Sequence, residues 1–315
     1  MTKAGSGTTK RSSRRTRQTV VCFGEVLWDC LPKGLFLGGA PINVAYHLAK
    51  QGFDVLPLTA VGRDFLGDEA RRRIEGWGLN VASMAIDALH PTGTVIAALD
   101  AAGVATYQIT QHVAWDHIKV GASLQNLSPA PAAIVFGTLA LRGKPNQRAL
   151  DQLLTAHPDA LRVVDLNFRA PFDTSAVMKF ALKRAQLVKL NDDELGRLTR
   201  HGINSQPALT RSVEQFATEH RLPRVCVTAG ERGAGIWWDG NWFWEKARPV
   251  KVRDTVGAGD AFLGGLLGAL LVRNEPAPRA LMQACRLGEF VAGQDGATPE
   301  YHLDAQHRPV AGNVT

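Results

Sequence analysis

Apolar residues recur along this chain in two rhythms: short unbroken runs rich in β-branched residues, and longer stretches whose apolar positions share one face. TVVCFGEV (19–26) has the first rhythm and predicts a strand ending at a glycine. LPKGLFLGG (31–39) is short, Gly/Pro-rich and partly apolar. PINVAYHLAKQG (41–52) predicts a helix, with Pro41 in its first turn and Gly52 at its C-terminal cap. VLPLTAV (55–61) predicts a strand, and FLGDEARRRIEGWG (65–78) a helix with a charged face. TGTVIAALDAAGVATYQIT (92–110) reads as two strand runs around Asp100-Ala101-Ala102-Gly103, a hairpin. AAIVFG (132–137), LRVVDLN (161–167) and AQLVKLN (185–191) are strands that each precede a helix. PRVCVTAG (223–230) turns into AGIWW (234–238), and two helices, 258–273 and 278–293, close the core.

Continuous β-branched strands alternating with helices predict an α/β fold, with a mostly parallel sheet covered on both faces. Ligands of such sheets bind at the carboxyl ends of the strands. Polar residues fall there: Glu25 and Asp29, Asp165 and Asn167, Asn191 and Glu194, Thr228 and Gly230.

Composition narrows the classes. With 45% hydrophobic and 21% charged residues in 315, the chain is an ordinary globular one. The longest apolar run, AFLGGLLGALLV (261–272), is shorter than the roughly 20 residues a bilayer needs, so it predicts a buried helix and no membrane partner. The four cysteines form no C-x-x-C pair and the nine histidines no ligand spacing, which argues against a zinc site. Cys22 and Cys226 in apolar runs read as buried thiols of a reducing compartment. With no apolar segment behind the basic N-terminus, the expected location is cytoplasmic. Lys3, Lys10, Arg11, Arg14, Arg15 and Arg17 carry +6 of the net +7, so residues 19–315 are near neutral. Residues 1–18 are expected to be a disordered basic tail, because beyond Met1 and Ala4 they have no apolar side chains to bury. No basic–aromatic interleaving follows, so nucleic acid is not an expected partner.

Several motifs carry chemistry, each beside a structural alternative. In RDTVGAGDAF (253–262), small residues would let an anion approach the N–H groups of a helix N-terminus, where the dipole favours ionised Asp260. Equally, this is a glycine turn capped by Asp260. It is neither a P-loop, since no G-x-x-x-x-G-K-[ST] occurs, nor the dinucleotide fingerprint, since Phe262 replaces its third glycine. Asn191 with Glu194 three residues on is either a capping box or a pair that orders a hydrated magnesium ion. Gly230-Glu231-Arg232-Gly233 is a tight turn, or one whose N–H groups meet phosphate. GGAPINVA (38–45) places two glycines ahead of a helix carrying Asn43 on its first turn. Asp165, Asn167 and Arg169 alternate and would share one side if their strand continues.

In their order, GE…D, GGAP-x-NVA, D-x-N-x-R, N-x-x-E, G-x-x-G and DTVGAGDAF make residues 19–300 resemble the ribokinase-like, phosphofructokinase-B type sugar kinases. GEVLWD with GGAPINVA resembles the fructokinase branch. The resemblance implies a three-layer α/β sandwich over residues 19–315, with a small β lid at about 26–38 and 92–113. It implies ATP-dependent phosphorylation of a sugar hydroxyl, with fructose the first choice and another sugar, or a sugar acid such as 2-keto-3-deoxygluconate, the alternative. A non-catalytic regulator on this fold has no use for a base. By the same resemblance Asp260 is that base and Gly257, Ala258 and Gly259 form the anion hole. Arg169 lies near substrate and γ-phosphate. Asp29, Gly39 and Asn43 contact the sugar. Asn191, Thr228, Gly230 and Gly233 serve the nucleotide. Glu194 orders Mg2+ through water, and Asp254 and Val256 fall where many members bind a monovalent cation such as K+. A two-strand ribbon exposes edges, so the lid is also the expected contact of a homodimer.

Overall fold

A computed structural model describes residues 17–99, 105–203 and 205–312. The hairpin turn expected at Asp100–Gly103 and nearly all of the basic tail lie outside the described residues. In chain order, β1 (Thr19–Phe23) leads to β2 (Leu27–Leu31), β3 (Gly34–Gly38), α1 (Ala40–Lys50), β4 (Asp54–Leu58), β5 (Ala60–Gly62), α2 (Phe65–Gly76), β6 (Ala85–Asp87), β7 (Gly93–Leu99) and β8 (Ala105–Ile109). Then come α3 (Ala122–Gln125), β9 (Ala133–Gly137), α4 (Lys144–Ala156), β10 (Leu161–Asp165), α5 (Ser175–Leu182), β11 (Leu187–Asn191), α6 (Asp192–Thr199), α7 (Gln206–His220) and β12 (Arg224–Thr228). The chain closes with β13 (Ala234–Trp238), β14 (Asn241–Glu245), α8 (Ala258–Leu267), α9 (Ala277–Ala292), β15 (Tyr301–Leu303) and β16 (Pro309–Ala311).

Eight strands form the central sheet, in the order β14-β13-β12-β11-β10-β9-β1-β4. From β4 to β12 every pairing is parallel, and β13 and β14 add an antiparallel edge. Apolar side chains leave both sides of these strands, so both faces must be covered. One face packs against α1, α2, α8 and α9, the other against α4, α5, α6 and α7, giving three layers. Parallel pairing sends the ends of β1, β10, β11 and β12 to one edge, where Glu25, Asp165, Asn191 and Thr228 lie. A separate four-stranded sheet, β3-β2-β7-β8, is built from residues 27–38 and 93–109. Among the described residues no helix is long and apolar enough to cross a membrane.

Glycines in the apolar run 261–272 set how close helices pack. A Cβ at Gly264 would lie 2.6 Å from His47 Cβ on α1, and one at Gly265 3.2 Å from Ala284 Cα on α9. Helix α8 is therefore drawn in between its two neighbours.

Four expectations change. The 258–273 helix is α-helical only to Leu267 and continues as a π-helical turn over Gly268–Val272. The 55–61 run is split into β4 and β5, which belong to different sheets. Strand β10 stops at Asp165 and Asn167 turns left-handed with φ 40°, so Asp165, Asn167 and Arg169 do not alternate along a strand. The tail boundary also moves, because the Gln18 carbonyl accepts the Asp54 N–H at 2.9 Å and prolongs the β1–β4 ladder.

Candidate active site

The N-terminus of α8 is the centre of the polar edge. Gly257 caps it with φ 76°, a left-handed backbone that favours glycine. A Cβ there would also lie 2.4 Å from Ala297 Cβ. No side chain caps this helix. Ala261 N–H reaches Gly257 O and Ala258 N–H reaches Thr255 O, but no such bond holds the N–H groups of Gly259 and Asp260. These are the donors a helix start offers to an anion.

Asp260 does not act as a cap. Its carboxylate turns toward α1 and accepts a 2.8 Å hydrogen bond from Asn43 Nδ2. Its pKa moves opposite to the dipole argument, up to about 6. Burial is the main cause, and the negative charge of Asp165 adds to it. Lys189, Asn43 and Arg169 pull it back down.

In this cluster the sequence marks Asp165 only as a polar strand end within D-x-N-x-R, and Lys189 not at all. Asp165 and Lys189 are directly paired positions of β10 and β11, so their side chains leave the same face. Lys189 Nζ grips both oxygens of Asp165, at 2.8 and 3.1 Å. Both residues are buried. Burial pulls the Lys189 ammonium down, but Asp165, Asp260 and Glu194 outweigh it and hold it above its ordinary range. A third residue, Glu25, is marked in the sequence only by its place after β1. It is 4% exposed and its Oε2 accepts no hydrogen bond. Burial pushes its pKa up to about 7.

Asn191 and Glu194 form the capping box of α6. Glu194 N–H donates to Asn191 Oδ1 at 2.8 Å, and Asn191 N–H to Glu194 Oε2 at 2.9 Å. Phe168 N–H takes Glu194 Oε1 at 2.7 Å, tying the loop after β10 to α6. Burial and then Asp165 raise the Glu194 pKa, and the backbone donors restrain it. Thr228 is the register partner of Asn191 across β11 and β12. Gly230–Arg232 form a 3-10 turn, and Arg232 is ion-paired to Asp192. Gly233 lies where a Cβ would strike Glu245 O, so that glycine has a packing reason of its own.

The sugar-side candidates approach from the small sheet and α1. Gly39 caps α1, and its carbonyl accepts the N–H groups of Ile42 and Asn43. Asn43 is buried, with Oδ1 unpaired. Asp29 on β2 is half-buried, which raises its pKa, while Arg169 pulls it down. Arg169 is exposed, donates only to its own neighbour Phe168 O at 3.0 Å, and joins no ion pair among the described residues. Its charge still reaches Glu25, Asp29 and Asp260. Asp254 accepts Val256 N–H at 3.0 Å and Gly296 N–H at 3.2 Å, which joins the loop before α8 to the C-terminal segment.

Comparison with known proteins places the chain in a family. The model of the pfkB family carbohydrate kinases matches residues 19–302. The fructokinase of Klebsiella pneumoniae is 30% identical over 272 residues, covering 81% of this chain and 85% of that protein. The fructokinase of Vibrio cholerae O395, solved with fructose, ADP and calcium, superposes with TM-score 0.73 at 23% identity, covering 89% of this chain and 94% of that one. The 2-dehydro-3-deoxygluconokinase of Thermotoga maritima superposes with TM-score 0.77 at 18% identity, covering 89% and 95%. The two structures establish the likeness of fold.

The buried carboxyl of Glu25 has a measurable consequence. Its folded pKa is raised from 4.5 to about 7, so the cost of ionising it is absent below 4.5 and complete above 7. Glu25→Gln is expected to raise Tm at pH 8, by the equivalent of about 3 kcal/mol at most. The gain should fade as pH drops through 7 toward 4.5. Thermal denaturation across that range checks it; a gain independent of pH means that Glu25 is not buried as a charge.

Proposed function

The chain belongs to the pfkB family of carbohydrate kinases, and from that premise we propose that it transfers the terminal phosphoryl group of ATP to a hydroxyl of fructose. The observation that carries the reading is Asp260: a buried carboxylate on the first turn of α8, beside the unbonded N–H groups of Gly259 and Asp260. A carboxylate raised to about 6 is a stronger base than an ordinary one and is still ionised at neutral pH. Asp260 takes the hydroxyl proton as the sugar oxygen bonds to the γ-phosphorus and the bond from that phosphorus to the β–γ bridging oxygen breaks, releasing ADP. The unbonded N–H groups of Gly259 and Asp260, at the end of the 257–259 loop, face the charge on the phosphoryl oxygens without reorganising.

The residues fit the groups this reaction needs. ATP supplies the phosphoryl group. Thr228, Gly230 and Gly233 would meet its phosphates, with Asn191 alongside. Glu194 already accepts two backbone N–H groups, so it would order Mg2+ through water. That suits an ion that keeps much of its water shell. Asp254 and the Val256 backbone would hold K+ against the loop that Asp254 ties to Gly296.

Fructose is favoured by charge and by unpaired acceptors. Glu25 Oε2 and Asn43 Oδ1 are buried acceptors that sugar hydroxyls would satisfy. Glu25, Asp29 and Asp260 outnumber the cations that act on them, Arg169 and, at Asp260, Lys189, a balance that suits a neutral sugar better than an acid. The second reading is a sugar acid such as 2-keto-3-deoxygluconate, favoured by the unpaired guanidinium of Arg169, which suits a carboxylate. Leu35, Phe36 and Ile96, nearly half exposed on the small sheet, support a homodimer joined through that sheet.

Three measurements test these statements. An ADP-release screen over ketoses, aldoses, ketodeoxy acids and ribosides is expected to show fructose as the best acceptor. Faster turnover of ketodeoxygluconate would establish the second reading. Asp260→Asn is expected to lower kcat by about 10²–10⁴-fold, the scale of general-base loss, with KM values within a few-fold. Asn would serve equally well as a helix cap, so a kcat within threefold of the parent would refute the base. Light scattering is expected to give a dimer, and a strict monomer removes the lid contact.

A further inference from the structure

We propose that Lys189 is a positioning residue for phosphoryl transfer: clamped by Asp165 and laid against Gly259, its ammonium holds Asp260 in the ionised, proton-accepting state. The inference rests on the reading of Asp260 as the base. It concerns what makes a buried carboxylate usable at neutral pH.

Geometry places the ammonium at the anion hole. A Cβ at Gly259 would lie 2.8 Å from Lys189 Nζ, so the missing side chain of Gly259 makes room for that charge. The two-oxygen grip of Asp165 fixes it there. A buried ion pair is a poor source of stability, since apolar residues of similar volume often do as well. Here the pair faces α8 from the sheet, at the one edge where charge develops in the reaction.

The charges around Asp260 are few. Asn43 faces it from α1 as a neutral donor, and Glu25 from the end of β1. Asp165 faces it from β10, Arg169 from the loop that follows, and Lys189 from β11. Glu194, at the start of α6, bears on both Lys189 and Asp165. Of the two cations, Arg169 is exposed and screened by water, whereas Lys189 is 7% exposed. Lys189 is thus the unscreened cation offsetting the carboxylates of Asp165, Asp260 and Glu194. The two halves of the ion pair act on Asp260 with opposite signs: Lys189 lowers its pKa and Asp165 raises it.

Opposite signs give a test that a purely structural pair would fail. The pH dependence of kcat/KM for the sugar, at saturating Mg–ATP, is measured for the parent, Lys189→Met, Lys189→Arg, Asp165→Asn and the double variant Lys189→Met/Asp165→Asn. The acid limb of the parent is the reference. Lys189→Met should move it up by about one pH unit or more, the scale for loss of a nearby opposite charge. Its rate deficit is then largest on the acid side and appears in kcat, with sugar KM within a few-fold. Asp165→Asn should move the limb down. The double variant should return it toward the parent, and Lys189→Arg should hold it there. Limbs that stay fixed, or move the same way in both single variants, overturn the inference. If Lys189→Met does not fold, the Asp165→Asn and double-variant limbs decide alone. Asp260→Asn separates the two levels: if it stays active, the base reading falls; if it is inactive while the limbs do not move oppositely, only the role of Lys189 falls.

Discussion

The close approach of α8 to its neighbours is the constraint on which the rest of the site depends. Glycines at 264 and 265 let it sink between α1 and α9, and this sets the height of its N-terminus above the sheet edge. The first turn is held from the other side. Gly257 abuts Ala297, and the carbonyl of Ala297 accepts a bond from His47 at 3.0 Å. His47 also contacts the Tyr301 hydroxyl, so α1 pins the C-terminal segment against the start of α8. Burial drives the His47 pKa down to about 4, so this pin stays neutral across the working pH range. Helix start, C-terminal segment and α1 therefore move as one packed unit. The distance between Asn43 and Asp260 is a result of that packing, not of either residue alone.

Once α8 is fixed, the sheet supplies the charges. Parallel register makes Asp165 and Lys189 neighbours, and the edge where β10 and β11 end puts them beside the first turn of α8. In so dry a place each charge acts strongly on the others. The capping box of α6 belongs to the same cluster. It satisfies a helix start, as such boxes do, and it also points Glu194 at the loop that carries Phe168 and Arg169. The structural and functional accounts of N-x-x-E are not rivals here: the bonds that cap α6 also orient the carboxylate.

The layer order and the sheet edge were legible because each rests on local pattern. β-branched runs announce their strands, and parallel pairing then determines where their ends lie. GAGD left an anion site and a capped glycine turn equally open, and the structure shows a helix start that no side chain caps. What was not legible depends on distant contacts. Lys189 lies within AQLVKLN and looks like a strand lysine at a solvent edge; its partner is 24 residues away and only register joins them. Gly259 reads in the sequence as room for an anion at the helix start, and the structure shows that it is also space for that ammonium. D-x-N-x-R suggested one continued strand, and the left-handed Asn167 breaks it. Helix 258–273 was read as uniform, and the π-helical turn after Leu267 has no local signal. The dipole argument for Asp260 failed because burial, invisible in a single sequence, outweighs it.

Selectivity in such a site follows from unpaired atoms more than from those already bonded. Asp165, Lys189 and Glu194 are satisfied by each other and by backbone, so a ligand gains little by meeting them. Glu25 Oε2 and Asn43 Oδ1 are buried acceptors that the protein leaves without donors. A ligand hydroxyl that reaches them recovers a cost the fold already bears, and an analogue lacking that hydroxyl does not. Glu25 adds a sign to this preference. Ionised, it accepts from a hydroxyl and repels a carboxylate; protonated, near and below pH 7, it can also donate. Arg169 works in the other direction, but from an exposed position where water weakens its pull. Buried acceptors against an exposed cation therefore weight the site toward a neutral polyhydroxylated substrate, and the residues that set this bias lie just after β1 and on α1.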